Sequence, residues 1–169
     1  MINPFVDRVF FTDGSCSGNP GPGASAVLEF DNETGKNILY YDTCPCANTT
    51  NNIEELKAIL RVFKLFANDT NKIAIYTDSQ YCYKLFNEWI WNWFRNDWRT
   101  STGKQVENLD LVKQAFEYLK QYGNNVSVFK VKGHNGNVYN EIVDSVVTYN
   151  KTKFITLCRK HNIESICNL

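Results

Sequence analysis

Two short apolar runs, each handing on to an aspartate, constrain this chain more than any other feature. Val9-Phe10-Phe11 leads through Thr12 to Asp13, and the chain then breaks into the glycine- and proline-rich stretch Gly14-Ser15-Cys16-Ser17-Gly18-Asn19-Pro20-Gly21-Pro22-Gly23. Further on, residues 72–77 run into Asp78-Ser79 in the same way. A carboxylate at the end of a buried strand is costly unless it reaches water, a partner or a metal. If the two runs are parallel strands joined by a crossover, their C-terminal ends share one sheet edge, where open α/β sheets bind ligands. Asp13 and Asp78 then stand side by side.

The rest of the chain supplies the layers around that pair. Residues 5–12, 24–30 and 37–42 read as a meander of three antiparallel strands, with the polar turn Asp31-Asn32-Glu33-Thr34-Gly35 before the third. Thr50 is a helix N-cap, and Ile53, Leu56, Ile59, Leu60 and Phe63 recur at helical spacing over 51–67. After the 72–77 strand, helical material begins near Gln80 and carries Trp89, Trp91, Trp93 and Trp98, until Ser101-Thr102-Gly103 interrupts it. A helix over 106–122, a strand over 125–131, the loop Lys132-Gly133-His134-Asn135-Gly136 and a helix over 138–150 follow. This order predicts an α/β fold: a five-stranded mixed sheet, antiparallel then parallel, flanked by helices. We read 1–150 as one domain and 151–169 as a partly helical tail packed on it.

Composition excludes more than it selects. Eighteen basic residues balance eighteen acidic ones, so a nucleic-acid ligand must be held by local patches rather than by a whole-molecule field. No apolar run approaches the roughly 18 residues of a membrane span, and the first residues lack a secretory apolar core. An intracellular protein without membrane contact is the expectation. Six scattered cysteines and two histidines do not form zinc-site spacing, so reduced, structural thiols are expected.

Two neighbouring carboxylates repel unless a cation intervenes, and hard oxygen ligands favour Mg2+ or Mn2+. On the wheel of the 51–67 helix, Glu55 lies on the flank of the apolar face and can reach the sheet edge. Glu54 points almost opposite that face and is expected in solvent. For Asp144, in the last helix, the wheel is silent: Val138, Ile142, Val143 and Val146 face away from it, as they would from an ordinary surface residue.

Five motifs resemble those of type 1 ribonuclease H, in order and at compatible spacing across about residues 5–150. They are Thr12-Asp13-Gly14-Ser15, Gly18-Asn19-Pro20-Gly21-Pro22-Gly23, Thr49-Thr50-Asn51-Asn52-Ile53-Glu54-Glu55-Leu56, Thr77-Asp78-Ser79-Gln80-Tyr81, and Lys132-Gly133-His134-Asn135-Gly136 with Asn140-Glu141-Ile142-Val143-Asp144. The resemblance implies a ribonuclease H-like fold and endonucleolytic hydrolysis of the RNA strand of RNA/DNA hybrids, leaving 5′-phosphate and 3′-hydroxyl ends. It implies that Asp13, Glu55, Asp78 and Asp144 hold two Mg2+ ions, with Mn2+ able to substitute, and that His134 moves a proton or helps product leave. Asn19, Asn51, Asn52 and Gln80 then sense the hybrid's minor groove and its 2′-hydroxyls. Thr50 and Asn92 bind a DNA-strand phosphate, although Thr50 also suits a purely capping role.

Residues 84–104 resemble the substrate-binding protrusion of the bacterial-type enzymes, with Trp89 and Trp93 against the DNA strand and Trp91 suited to the core. That segment is strongly basic in such enzymes. Here it carries Lys84, Arg95, Arg99 and Lys104 against Glu88 and Asp97, and Ile53 stands where many family members carry arginine. Weak phosphate binding by a monomer is therefore expected. The alternatives are a catalytically weak hybrid-binding module, disfavoured by the full carboxylate set, and another nuclease of the same fold. Exonuclease relatives usually place Asp-x-Glu on the first strand, where this chain has Asp13-Gly14-Ser15.

Overall fold

The computed structural model describes residues 1–133 and 136–165. Three strands open the chain, β1 (Arg8–Cys16), β2 (Gly21–Phe30) and β3 (Asn37–Thr49), followed by α1 (Asn51–Phe66) and β4 (Ile73–Thr77). The next segment joins α2 (Gln80–Lys84), a π-helical turn (Leu85–Trp89) and α3 (Ile90–Arg95). Then come α4 (Leu109–Tyr122), β5 (Val126–Lys130), α5 (Val138–Val147), α6 (Lys151–His161) and β6 (Glu164–Ser165).

The sheet order is β5-β4-β1-β2-β3-β6. β1–β2 and β2–β3 pair antiparallel, whereas β1–β4 and β4–β5 pair parallel, giving the mixed sheet expected. A sixth, two-residue strand was not expected: β6 adds parallel to the outer edge of β3. Asn162, in the left-handed region at φ 52°, ends α6 and turns the chain so that Ile163 is buried and the Glu164 N–H donates to the Lys36 carbonyl at 2.6 Å. Nothing in the composition of so short a segment marks it as a strand.

Side-chain alternation along β1 divides the interior into two cores. Phe10 packs with α1, the π-helical turn and α4 through residues such as Leu56, Ile59, Phe63, Leu85 and Phe116. Val9 and Phe11 face the opposite side and pack with Ile142, Val143 and Val146 of α5 and with Phe154 and Cys158 of α6. The tail expected after residue 150 is thus helical through His161, and its apolar side completes the second core.

Two boundaries differ from the sequence reading in ways that matter for the site. β1 does not stop at Thr12: Asp13 to Cys16 remain paired with Ala26 to Gly23 of β2. Pairing with β4 does end there, at Thr12↔Thr77, because β4 itself stops at Thr77. Asp13 is therefore a mid-strand residue whose neighbour on one side has run out, not a strand-terminal one. β3 likewise continues from Asp42 to Thr49 and delivers the chain directly to the start of α1.

Burial of Phe154 predicts that the tail stabilises the whole domain. Phe154→Ala should cost about 3 kcal/mol and lower the melting temperature by ~6–12 °C, read by thermal denaturation with far-UV circular dichroism.

Candidate active site

Gly14 is what brings the elements of the site together. A Cβ at this position would collide with the backbone nitrogen of Glu55, so only glycine allows the first turn of α1 to lie against β1. With that close approach, one carboxylate oxygen from each of Asp13, Glu55 and Asp78 lies within 4.8 Å of the others. Asp13 comes from β1 beyond its pairing with β4, Glu55 from the first turns of α1, and Asp78 from the residue that follows β4.

Local hydrogen bonds hold each carboxylate. The Gly14 N–H donates to Asp13 Oδ1 at 2.9 Å, and the Thr77 hydroxyl donates to Glu55 Oε2 at 3.4 Å. Asn140 of α5 donates from Nδ2 to Asp78 Oδ2 at 3.1 Å. Gly133 lets the next loop pass Asp78, since a Cβ there would press on Asp78 Oδ2. Asn140 had no assigned role in the sequence reading, although its spacing of four from Asp144 puts both on one face of α5. It is 1% exposed, and its Oδ1 has no hydrogen-bond partner among the described residues.

The electrostatics are those of anions packed without compensation. Burial pushes the Asp13 carboxyl up from its ordinary range to about 8, and the charges of Asp78 and Asp144 push it the same way. Burial also raises Glu55 well above the usual carboxylate range, with repulsion from Asp13 and Asp78 adding to it. Hard oxygen donors this close, in a site that disfavours their joint ionisation, suit a divalent cation such as Mg2+.

Asp144 sits apart from this trio. Its Oδ2 accepts from Lys153 Nζ of α6 at 2.6 Å. Its charge still bears on Asp13, as above. No short-range spacing links residue 144 to residue 153, so the ion pair had no sequence signal.

Glu54 corrects the wheel argument. It is 1% exposed rather than solvated, and its Oε1 accepts from the Thr49 hydroxyl at 2.7 Å and from Lys57 Nζ at 2.9 Å. The extension of β3 to Thr49 covers the flank of α1 that a wheel treats as open. Glu54 thereby becomes a buried anchor between strand and helix.

The proposed substrate-reading residues fall into two groups. Asn19 joins the N-terminus of α1: its Oδ1 accepts from the Asn51 N–H at 3.0 Å, and Thr50 Oγ1 accepts from the Ile53 N–H at 3.3 Å. Thr50 is thus the helix cap that the sequence indicated. Asn51, Asn52 and Gln80 are exposed nearby in sequence to the carboxylates they flank. In the second group, Trp89 and Trp93 pack together with ring centroids 5.3 Å apart, and Lys84 Nζ lies 5.7 Å from the Trp89 ring. Asn92 is exposed and donates to the Glu88 carbonyl. Trp91 is 44% exposed, not core, with its ring edge-on to Phe116. His134 lies outside the described residues.

The raised pKa of Asp13 has a consequence for stability. Between the ordinary carboxylate range near 4 and about 8 the folded protein holds a proton at Asp13 that the unfolded chain has lost. Stability of the metal-free protein therefore falls as pH rises through that window. In EDTA at pH 8, Asp13→Asn should stabilise by about 2 kcal/mol, seen as a melting temperature ~4–8 °C higher. The gain should disappear at pH 4.

The comparisons with known proteins agree with this architecture. The family model described as RNase H matches residues 6–151. The ribonuclease H of Neorickettsia sennetsu (strain ATCC VR-367 / Miyayama) is 36% identical over 152 residues, covering 88% of this chain and 95% of its own. That of Caldanaerobacter subterraneus subsp. tengcongensis is 40% identical over 146 residues, covering 86% and 91%. Among solved structures, LC9-RNase H1, a type 1 RNase H with the type 2 active-site motif, superposes with a TM-score of 0.70 at 25% identity, covering 86% of this chain and 72% of its own. A match across nearly the whole described domain, with three carboxylates gathered on one sheet edge, places this chain in the ribonuclease H family.

Proposed function

We propose that this ribonuclease H enzyme hydrolyses the RNA strand of RNA/DNA hybrids internally, leaving 5′-phosphate and 3′-hydroxyl ends. The observation that carries the reading is the convergence of Asp13, Glu55 and Asp78 within 4.8 Å of one another. Asp13, Glu55, Asp78 and Asp144 would hold two Mg2+ ions, or Mn2+ in their place. Such ions, when bound, supply a water of lowered pKa and positive charge at the departing 3′-oxygen.

The chain's own groups do the positioning. Gly14 N–H and Thr77 hydroxyl fix the Asp13 and Glu55 oxygens, and Asn140 orients Asp78, so the ligands enter the reaction already placed. His134 serves proton transfer or the departure of product.

Strand choice falls to the cluster at the start of α1. Asn19, Asn51, Asn52 and Gln80 offer donors and acceptors to the 2′-hydroxyls of the RNA strand. Thr50 and Asn92 take a phosphate of the DNA strand, and Trp89 and Trp93 lie along that strand. The catalytic unit is 1–150, with the helix that follows it packed on it, and the enzyme works as a monomer inside the cell. No helix among the described residues is long and apolar enough to cross a membrane.

A hybrid labelled in its RNA strand tests this. Wild type with Mg2+ should cut the RNA of the hybrid and leave single-stranded RNA and duplex DNA intact. Asp78→Asn should slow cleavage at least ~100-fold while hybrid binding persists. Cleavage of single-stranded RNA, or a fully active Asp78→Asn, would overturn the assignment.

The sparse positive charge of the protrusion gives a second expectation. With Lys84, Arg95, Arg99 and Lys104 as its only cations, opposed by Glu88 and Asp97, log affinity should fall with log salt with a slope of magnitude below about 4. Fluorescence anisotropy with a catalytically dead variant measures it, and a markedly steeper slope refutes it.

A further inference from the structure

Lys153 stands in an electrostatically unfavourable place. The side chain of Asn150 caps α6 by accepting from the Lys153 N–H at 2.9 Å, which puts Lys153 in the first helical turn. That turn contains no acidic residue, and Lys151 adds a second cation there. Cations at a helix N-terminus oppose the helix dipole. The compensating interaction is the 2.6 Å bond from Lys153 Nζ to Asp144 Oδ2.

The pairing is built rather than incidental. α6 follows α5 after only Thr148, Tyr149 and Asn150, and the Asn150 N–H donates back to the Ser145 carbonyl at 2.8 Å. Phe154, next to Lys153, is buried in the core shared with α5. The position of Lys153 relative to Asp144 is therefore fixed by packing on one side and by a cap on the other. Asp144, meanwhile, is absent from the group of oxygens that Asp13, Glu55 and Asp78 bring within 4.8 Å.

We propose that Lys153 is a resident cation for Asp144, holding that carboxylate apart from the other three until a divalent ion displaces the ammonium. It acts as a positioning residue for the metal site and sets how much Mg2+ is needed to assemble all four ligands. The inference rests on the metal-binding reading above. Loading the site exchanges one ion pair for another: Asp144 leaves the Lys153 ammonium, which passes to solvent, and joins the divalent ion.

Mg2+-dependent thermal stabilisation of the full chain, starting from EDTA-treated protein, tests it without any measure of activity. Lys153→Met should shift the half-maximal Mg2+ concentration about two- to fivefold lower, the range expected when a partly exposed ion pair no longer competes. Lys153→Arg should stay near wild type. Lys151→Met, which removes a charge from the same helix turn without touching Asp144, should also stay near wild type. In an Asp144→Asn background, Lys153→Met should make no further difference. An unchanged or raised midpoint in Lys153→Met, or an equal shift in Lys151→Met, would overturn the proposal while leaving the metal site standing. A wild type without any Mg2+-dependent shift would overturn the metal reading and this proposal with it.

Discussion

The structure depends on one close approach, that of α1 to β1 at Gly14. Strand-to-helix packing normally keeps backbones apart by the thickness of their side chains. Here the missing Cβ lets the Glu55 backbone sit directly on the strand, and the Glu55 side chain then reaches around it to the Asp13 carboxyl. Neighbouring elements reinforce this placement. Thr49 and Lys57 tie down Glu54, Thr50 caps the helix, and Asn19 clasps the Asn51 N–H from the β1–β2 loop. Asn19, Thr50 and Asn51, proposed above to meet the substrate, are also the residues that fix the helix start.

The price of that construction is concentrated repulsion. Asp13 and Glu55 are both buried, and both are driven toward their protonated forms by burial and by each other's neighbours. Removing such a carboxylate relieves a strained ground state, which is the pattern expected where function rather than stability selected the residue. The two apolar cores on either face of the sheet, together with the ion pairs elsewhere, supply the stability that this edge does not.

Much of this was legible in the sequence, and the failures have physical reasons. The two strands ending near Asp13 and Asp78 followed from hydrophobic runs and turn chemistry, and the parallel pairing followed from the crossover between them. Helical periodicity was enough to choose Glu55 for the sheet edge. The same wheel failed for Glu54, because a helix in isolation does not know that β3 will run on to Thr49 and cover its polar flank. It was silent on Asp144 for the same reason: that residue's partner comes from another helix. The end of the apolar run makes Asp13 look strand-terminal, yet backbone pairing with β2 continues through Gly14 and Ser15, which carry no apolar signal. Short pairings such as β6 and long-range polar contacts such as Asn140 to Asp78 are decided by tertiary context, which one sequence does not encode locally.

The distribution of cations shows why the cluster is a site and not merely an acidic surface. The fully buried carboxylates elsewhere each have a cation of their own, Arg8 for Glu29 and Lys57 for Glu54, and half-buried Asp42 and Asp144 have Arg61 and Lys153. Among the described residues, no lysine or arginine pairs with Asp13, Glu55 or Asp78. In a chain whose positive and negative charges balance, basic residues are not scarce; they are placed elsewhere. Two buried carboxylates and a half-buried third, left without a cation by a fold that pairs its other fully buried acids, are poised to take one from solution. Asp144 then differs from the trio in kind, because it is the one proposed ligand that already has a positive partner to give up.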